Sequence, residues 1–304
     1  PPRAGEQNRY LGEWGMLDGQ PQAPGNAQTG PNAFEYDPTV GVTGGLWSGG
    51  IPFGLPGDQR PDEAFSQVYT TQPLTEDLHI LGWPRAVLHV SSSAPLIGFA
   101  VSLCDVAPDG TSHLVSKGML NATRRESLRE PKPLTPGQIY ELEIEIDCTA
   151  WVFGRGHRIR LSIASADWPN VWPTPYPATN QVYWGPENAS RLILPVVPAD
   201  GSAIPPTFHP SARTVTHHAE ATQPPTWQIV RDQLTGRTTL HLAHSSSWRV
   251  NDTTVIEREA SSTFEVAPSH PSEASARGLH FYRIMRPNQQ LQARADVEVQ
   301  ATTT

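Results

Sequence analysis

Three aromatic side chains in one proline-rich loop are the residues of this sequence best suited to bind a ligand or another protein. Trp168, Trp172 and Tyr176 lie among prolines in the segment 165–178, and these prolines disfavour both a helix and central-strand pairing. Large amphipathic rings on a stiff backbone lose little conformational entropy when they are covered, so the pattern is typical of a binding surface or a domain interface. The alternative is a loop that folds back on its own domain and covers the core.

No serine of the sequence stands in the setting that the nucleophile of an α/β-hydrolase requires. Such a serine occupies a G-x-S-x-G elbow, which exposes its hydroxyl beside backbone N–H donors. Two segments come close, but in residues 110–114 (GTSHL) a leucine replaces the second glycine, and in residues 44–49 (GGLWSG) a leucine stands two positions before the serine. We therefore assign no catalytic residue within this chain.

The sequence also contains no recognisable metal or cofactor site. The H-E-x-x-H, C-x-x-C and EF-hand patterns are absent, and the neighbouring His217 and His218 fall in a segment rich in prolines, where we expect them to be solvated. No glycine-rich loop lies between a predicted strand and a helix, which argues against a bound nucleotide. We predict neither a metal nor a cofactor.

A half-buried β-strand leads directly into the aromatic loop. In residues 158–163 (RIRLSI) the apolar side chains fall on one face, and the arginines and serine fall on the other. Residues 140–146 (YELEIEI) alternate in the same way and carry three glutamates. If these two strands pair antiparallel, opposite charges meet across the ladder and contribute ~0.2–1 kcal/mol a pair.

Short alternating segments continue along the chain, and turn sequences separate them. The further predicted strands include residues 85–91, 99–106, 112–120, 191–197, 227–232, 238–244, 262–266, 279–285 and 291–300. A hairpin turn is predicted at residues 234–237, and no segment has a convincing helical pattern. Many short strands without intervening helices indicate an all-β sandwich, and a jelly roll fits the spacing best.

Changes in composition divide the chain into three parts. We interpret residues 1–35, which become rich in Gly, Pro, Gln and Asn, as a lead-in and connector from an upstream domain. Residues 36–205 are predicted to form the jelly roll, and residues 206–304 are expected to add strands to the same sandwich. The last strand ends in three threonines without a following turn, so we expect the chain to be cut short there.

The net charge of the chain argues against two classes of partner, and its cysteines indicate its cellular compartment. The formal net charge of −8 argues against nucleic acid and against an anionic membrane surface. No apolar run approaches the ~18 residues of a spanning helix, and the first residues do not resemble a signal peptide. Cys104 and Cys148 both lie in strand-like runs, so we predict two buried free thiols and a cytoplasmic protein.

A series of short motifs in fixed order covers residues 36–197. They are residues 36–41 (YDPTVG), 58–60 (DQR), 68–70 (VYT), 73–74 (PL), 90–94 (VSSSA), 105–110 (DVAPDG), 136–140 (PGQIY), 153–160 (FGRGHRIR) and 190–195 (SRLILP). Together they resemble the C-terminal domain of the CocE/NonD hydrolases, the group of cocaine esterases and X-Pro dipeptidyl-peptidases.

The resemblance implies a jelly roll with a galactose-binding-like fold that follows an α/β-hydrolase domain. That upstream domain would carry the Ser, Asp and His of the catalytic triad and would share a small ester or peptide substrate with this chain. The stretch through Tyr10 and Trp14 is similar to the one just downstream of the family's catalytic histidine. All three triad positions would then lie before Pro1, so we expect the chain alone to be inactive.

The resemblance also implies which residues approach the substrate. In such enzymes the loop after the Asp-Pro motif reaches across to the hydrolase domain and walls the acyl pocket, and it corresponds most nearly to Gly45, Leu46 and Trp47. The aromatic loop is similar to the family's W-P-N-x-W-P-x-P segment and would line the same domain junction with its three rings.

Two other functions stay open at this point. A free-standing carbohydrate-binding module would stack Trp168, Trp172 and Tyr176 on sugar rings, because galactose-binding-like folds serve many functions. A purely structural or homo-oligomerisation domain would bury the same loop at a contact between chains.

Overall fold

The computed structural model describes residues 4–21, 31–45, 57–199, 207, 220–287 and 289–300, and most of these residues lie in β-strands. The prediction of an all-β fold is confirmed. The chain divides into two compact units with a boundary after Ala199, and each unit is described by itself.

The described part of the first unit contains thirteen strands and one short helix. In chain order the strands are β1 (Gly5–Leu11), β2 (Leu17–Asp18), β3 (Asn32–Glu35), β4 (Gln67–Thr70), β5 (Leu78–Gly82), β6 (Arg85–Ser92), β7 (Gly98–Val106), β8 (Ser112–Asn121), β9 (Tyr140–Glu145), β10 (Thr149–Phe153), β11 (Arg158–Ala164), β12 (Thr179–Tyr183) and β13 (Arg191–Val197). The helix α1 spans Arg60–Glu63, and short 3₁₀ turns occur at Glu13–Gly15 and Ala122–Arg124. The predicted strands of residues 85–91, 99–106, 112–120 and 191–197 are confirmed.

Two antiparallel sheets form the sandwich of the first unit. The first sheet has the strand order β10-β5-β13-β6-β12-β3, with β1 on β13, β2 on β1 and β9 on β6. The second sheet has the order β4-β11-β7-β8. The loops at the strand ends are therefore held by two rigid layers, which is the usual support for a functional loop.

The hydrophobic core lies between these two sheets. Leu88 and Leu142 of the first sheet and Tyr69, Phe99 and Leu161 of the second are all buried in it. Because side chains alternate along a strand, the apolar face predicted for residues 158–163 becomes a core face. Each fully buried leucine or phenylalanine contributes roughly 1.5–3 kcal/mol.

The described parts of residues 1–35 contribute strands to the first sheet. β1 pairs with β13 from Gly5 opposite Val196 to Tyr10 opposite Arg191, and β3 pairs with β12. The sequence pattern does not reveal these strands, because β1 carries few apolar residues. Backbone hydrogen bonds to an existing sheet edge, more than burial, hold such a strand in place, and these bonds leave no hydrophobic pattern in the sequence.

The glutamates of β9 lie beside a different strand from the one predicted. β9 pairs with β6, whereas β11 lies in the other sheet, so the antiparallel pairing that would bring these glutamates opposite Arg158 and Arg160 does not occur. Arg85 of β6 instead binds Glu143, with 2.8 Å between the guanidinium nitrogen and Oε1. Either neighbour would satisfy the charge pattern, which is why the pattern alone could not choose between them.

The second unit contains a five-stranded antiparallel sheet. Its strands are β14 (Glu220–Arg231), β15 (Thr238–Asn251), β16 (Thr254–Val266), β17 (Ser275–Arg286) and β18 (Gln289–Gln300), and each pairs with the next. The hairpin predicted at residues 234–237 is confirmed. Among the described residues these strands form a sheet of their own, and their role as an extension of the sandwich stays a prediction. Short connections join each strand to its neighbour, which favours local pairing.

The two cysteines differ in their surroundings. Cys104 of β7 is a buried free thiol, as predicted, and burial raises its pKa. Cys148 is also free but exposed, so the prediction that it is buried is wrong. It lies in the connection between β9 and β10, where the strand-like alternation of β9 has already ended.

Candidate functional site

The aromatic loop after β11 divides its three rings between the interior and the surface. Trp168 is 1% exposed, whereas Trp172 and Tyr176 are 38% and 43% exposed. The rings of Trp168 and Trp172 meet edge to face, with centroids 5.5 Å apart, and pairs of this kind contribute about 0.5–1.5 kcal/mol. Two of the three predicted rings are thus available to a ligand or a partner.

A glycine turn packs directly against the backbone of the aromatic loop. The N–H of Trp168 donates to the carbonyl of Val40 at 2.7 Å. The next residue, Gly41, has a φ of 108°, and a Cβ at this position would lie 2.6 Å from the nitrogen of Trp168. Only glycine combines this backbone conformation with so close an approach.

Two further hydrogen bonds join the same pair of loops. The side-chain amide of Asn170 donates to the carbonyl of Gly45 at 3.2 Å. The hydroxyl of Tyr36 donates to the carbonyl of Thr174, also at 3.2 Å, and burial raises the pKa of Tyr36 to about 12. The structure therefore joins Gly45 to the aromatic loop by a hydrogen bond.

The carboxylate of Asp62 in α1 fixes the turn that leads to Gly45. Its Oδ2 accepts hydrogen bonds from the backbone N–H groups of Thr43 at 3.0 Å and of Gly44 at 2.8 Å. Asp62 is itself buried. A buried acceptor for two backbone donors holds the turn in a single conformation, since breaking either bond would leave a polar group unsatisfied.

The helix α1 is in turn bound to the second sheet. Glu63 is buried, accepts a hydrogen bond from the hydroxyl of Ser112 in β8, and forms an ion pair with Arg160 of β11. Removing one partner of such a buried pair is costly because the other charge stays buried. The pair therefore fixes α1, and with it Asp62, relative to the sandwich.

An ion pair also ties the base of the aromatic loop to β8. The ammonium of Lys117 lies 2.8 and 2.7 Å from the two carboxylate oxygens of Asp167, and both side chains are largely buried. Asp167 also accepts a hydrogen bond from the amide of Asn170. Asn170 thus connects this ion pair to the carbonyl of Gly45.

A groove of about 540 Å³ runs beside this ion pair, between β8, β9 and the aromatic loop. Lys117 and Asn170 line it together with the carboxylates of Glu143, Glu145 and Asp147. A second depression, of about 550 Å³, lies in the sheet of the second unit. Neither contains a residue predicted to act on a substrate.

A histidine just before β11 forms a hydrogen bond with a carboxylate of β7. Nδ1 of His157 lies 2.8 Å from Oδ1 of Asp105, and the indole N–H of Trp151 donates to the other carboxylate oxygen at 3.0 Å. Among the described residues no serine hydroxyl is hydrogen-bonded to this pair, so it is not a triad of the serine-hydrolase type. The indole bond instead joins β10 of the first sheet to β7 of the second.

Of the predicted pocket wall, the structure describes Gly45 alone. Leu46 and Trp47 lie outside the described residues. The hydrogen bonds of Asp62 and Asn170 were not predicted, because buried acceptors and donors for a turn leave no periodic pattern. The signal that could have suggested them is a short polar side chain near a glycine-rich turn, since Asp and Asn readily bind such backbones.

The described residues include neither a cluster of metal-ligating side chains nor a membrane-spanning helix. Among them, no group of three or more His, Cys, Asp or Glu side chains could hold a metal ion. In the same part of the chain, no helix is long and apolar enough to cross a membrane.

Comparison with protein families gives a match over most of the first unit. Residues 1–194 match the X-Pro dipeptidyl-peptidase C-terminal non-catalytic domain. Cocaine esterase from Rhodococcus sp. is 33% identical over 158 residues, which cover 47% of this chain and 28% of that protein.

Solved structures show the same fold. An α-amino acid ester hydrolase superimposes with a TM-score of 0.55 and 27% identity, over 63% of this chain and 36% of that chain. An aminopeptidase from a marine-sediment Thaumarchaeota archaeon superimposes with a TM-score of 0.58 and 23% identity, over 64% and 37% of the two chains, and supports the fold alone. The chain thus spans about a third of the length of the proteins it matches.

Proposed function

Because the chain belongs to the family of X-Pro dipeptidyl-peptidase C-terminal non-catalytic domains, we propose that it is the C-terminal β domain of a serine hydrolase that cleaves ester or amide bonds. The resemblance to the CocE/NonD hydrolases, predicted from ordered motifs, is confirmed by this match and by the likeness to cocaine esterase. The family match over residues 1–194 is the observation that carries the proposal.

In this proposal the sandwich supports an upstream α/β-hydrolase domain that holds the nucleophile and its triad partners. The β domain contributes by positioning the substrate and excluding water. Both effects accelerate the reaction although the β domain itself supplies no reacting group. The bond cleaved is that of an ester, an X-Pro peptide or a related amide. The matched relative and the superimposed ester hydrolase support an acyl substrate.

Gly45, Leu46 and Trp47 form one side of the acyl pocket in this proposal. The hydrogen bonds that Asp62 and Asn170 make around Gly45 support this placement, because residues that wall a pocket need a backbone held in one conformation. The exposed rings of Trp172 and Tyr176 face the hydrolase domain and add apolar area to the junction.

The first test is an activity assay with a small activated ester. The chain alone is expected to be inactive, and the same chain joined to its natural upstream region is expected to hydrolyse the ester. Hydrolysis by the isolated chain would show that the nucleophile lies within it and would overturn the proposal.

The second test concerns the pocket wall. In the full-length enzyme, Leu46→Ala and Trp47→Ala are expected to change kcat/KM for long acyl chains about 10-fold or more relative to acetyl esters, since a few methylenes in an apolar pocket discriminate by roughly 1–3 kcal/mol. Leu128→Ala is the control, because Leu128 is an exposed leucine of a surface connection. An unchanged acyl preference in both wall variants would remove these residues from the pocket.

A carbohydrate-binding module stays the second candidate because Trp172 and Tyr176 are accessible. The burial of Trp168 weakens it, since only two of the three rings could stack on sugars. Titration of oligosaccharides against intrinsic tryptophan fluorescence decides between the two functions. A saturable change that Trp172→Ala abolishes would favour the module.

We place the protein in the cytoplasm as part of this proposal. The support is that both cysteines are free thiols, which is typical of a reducing compartment.

A further inference from the structure

Trp14 combines a strained backbone with an exposed ring. Its φ of 57° lies in the left-handed region, which bulky residues rarely adopt. Its side chain is 89% exposed, so no burial within the described residues offsets the strain. An observed outlier of this kind is a reason to look for a function that the strain serves.

The folded surroundings impose this conformation on Trp14. The residues on either side of its 3₁₀ turn, Leu11 and Leu17, are both buried in the core. The next residue, Gly15, has a φ of 70°, and a Cβ there would lie 2.7 Å from the carbonyl oxygen of Val68 in β4. The turn is therefore pressed against the edge of the second sheet, so the backbone of Trp14 is fixed while its ring extends into the solvent.

We propose that Trp14 is the docking anchor of the sandwich for the catalytic domain of the same polypeptide, an inference that rests on the proposed function. Tryptophan is enriched among the residues that dominate protein interfaces, and a ring with only two side-chain torsions on a fixed backbone loses little entropy when it is covered. The family to which residues 1–194 belong is described as non-catalytic, and its longer relatives supply a catalytic part as the occupant.

The experiment compares Trp14→Gly in the 304-residue chain and in the full-length protein. In the 304-residue chain, glycine relieves the backbone strain, so the melting temperature is expected to rise by about 2–4 °C. In the full-length protein the same substitution removes the anchor, so the melting temperature is expected to fall. Opposite signs in the two contexts are the expected result.

Two further variants make the test specific. Trp14→Phe keeps an aromatic ring, so the full-length variant is expected to melt close to the temperature of the full-length wild-type protein. Trp83→Ala is the matched control, because Trp83 is 60% exposed in the turn between β5 and β6 of the other sheet. This substitution is expected to leave the melting temperatures of both proteins unchanged.

Three outcomes would overturn the proposal. The first is a shift of the melting temperature by Trp14→Gly that has the same sign in both proteins. The second is a decrease of the melting temperature of the full-length protein by Trp83→Ala that equals the decrease by Trp14→Gly. The third is dissociation of an oligomer of the 304-residue chain by Trp14→Gly, seen by analytical ultracentrifugation, which would make a second copy the partner. Because melting temperature does not depend on ester hydrolysis, a failure of the proposed hydrolase function is recognised separately, as a full-length protein without esterase activity.

Discussion

At the scale of single residues, Gly41 is where the glycine turn and the aromatic loop approach most closely. Gly41→Ala is expected to lower the free energy of unfolding by about 1–2 kcal/mol for the left-handed backbone, and by ~1–3 kcal/mol more for the overlap with Trp168. Urea denaturation measures the change.

Gly137→Ala is the control for this prediction. Gly137 has a φ of 78°, but an added Cβ would meet no atom within 4 Å, so only the backbone cost is expected. If the two variants lost the same stability, the close contact at Gly41 would not be a steric requirement.

Tyr36 gives a prediction for alkaline pH. Its pKa is raised to about 12 by burial, whereas the unfolded chain titrates near 10, so the unfolded state loses this proton first as the pH rises. The contribution of Tyr36 to stability is therefore complete below pH 10 and is lost between about pH 10 and 12. The difference in unfolding free energy between the wild-type chain and Tyr36→Phe should shrink over this interval. A difference that stays constant would contradict the assignment.

The sequence identified the aromatic residues of the loop but not their division between core and surface. Trp168 and Trp172 have similar proline-rich neighbours, but among the described residues the backbone of Trp168 also contacts Val40 and Gly41, which are far away in the chain. Such long-range contacts leave no local signal, so the distribution of burial within an irregular loop was beyond prediction.

At the scale of elements, α1 connects the second sheet to the turn that leads to Gly45. Asp62→Ala is expected to cost ~1–3 kcal/mol, because two backbone N–H groups lose their acceptor. Asp62→Asn keeps a carbonyl oxygen at the same place and is expected to retain most of the stability. Chemical denaturation of both variants measures this. Equal losses would indicate that the charge of Asp62, and not its geometry, stabilises the turn.

The same elements show what patterns can and cannot predict. The strand Arg191–Val197 was predicted with its observed bounds, because five of its seven residues are leucine, isoleucine or valine and a short apolar run is typical of a buried strand. The partner of β9 was not predicted correctly, since Glu143 could face an arginine on either of two strands. β1 was missed because its hydrogen bonds to β13 carry no hydrophobic signature.

At the scale of the whole molecule, the division after Ala199 predicts that the sandwich folds without the second unit. Among the described residues, the core of the first unit consists of side chains between Leu11 and Val196. A chain that ends after Ala199 is therefore expected to keep a cooperative thermal transition and its near-ultraviolet circular dichroism. Loss of the cooperative transition would show that the five-stranded sheet is needed for the sandwich to fold.

The pairing of β1 with β13 has a consequence for how this domain is built into longer proteins. The first and last strands of the sandwich lie side by side, with Gly5 opposite Val196, so the chain enters and leaves the domain at neighbouring points. Domains with adjacent ends tolerate insertion and circular permutation. Insertion of this sandwich into a surface loop of another protein would therefore leave the strand order of both of its sheets unchanged.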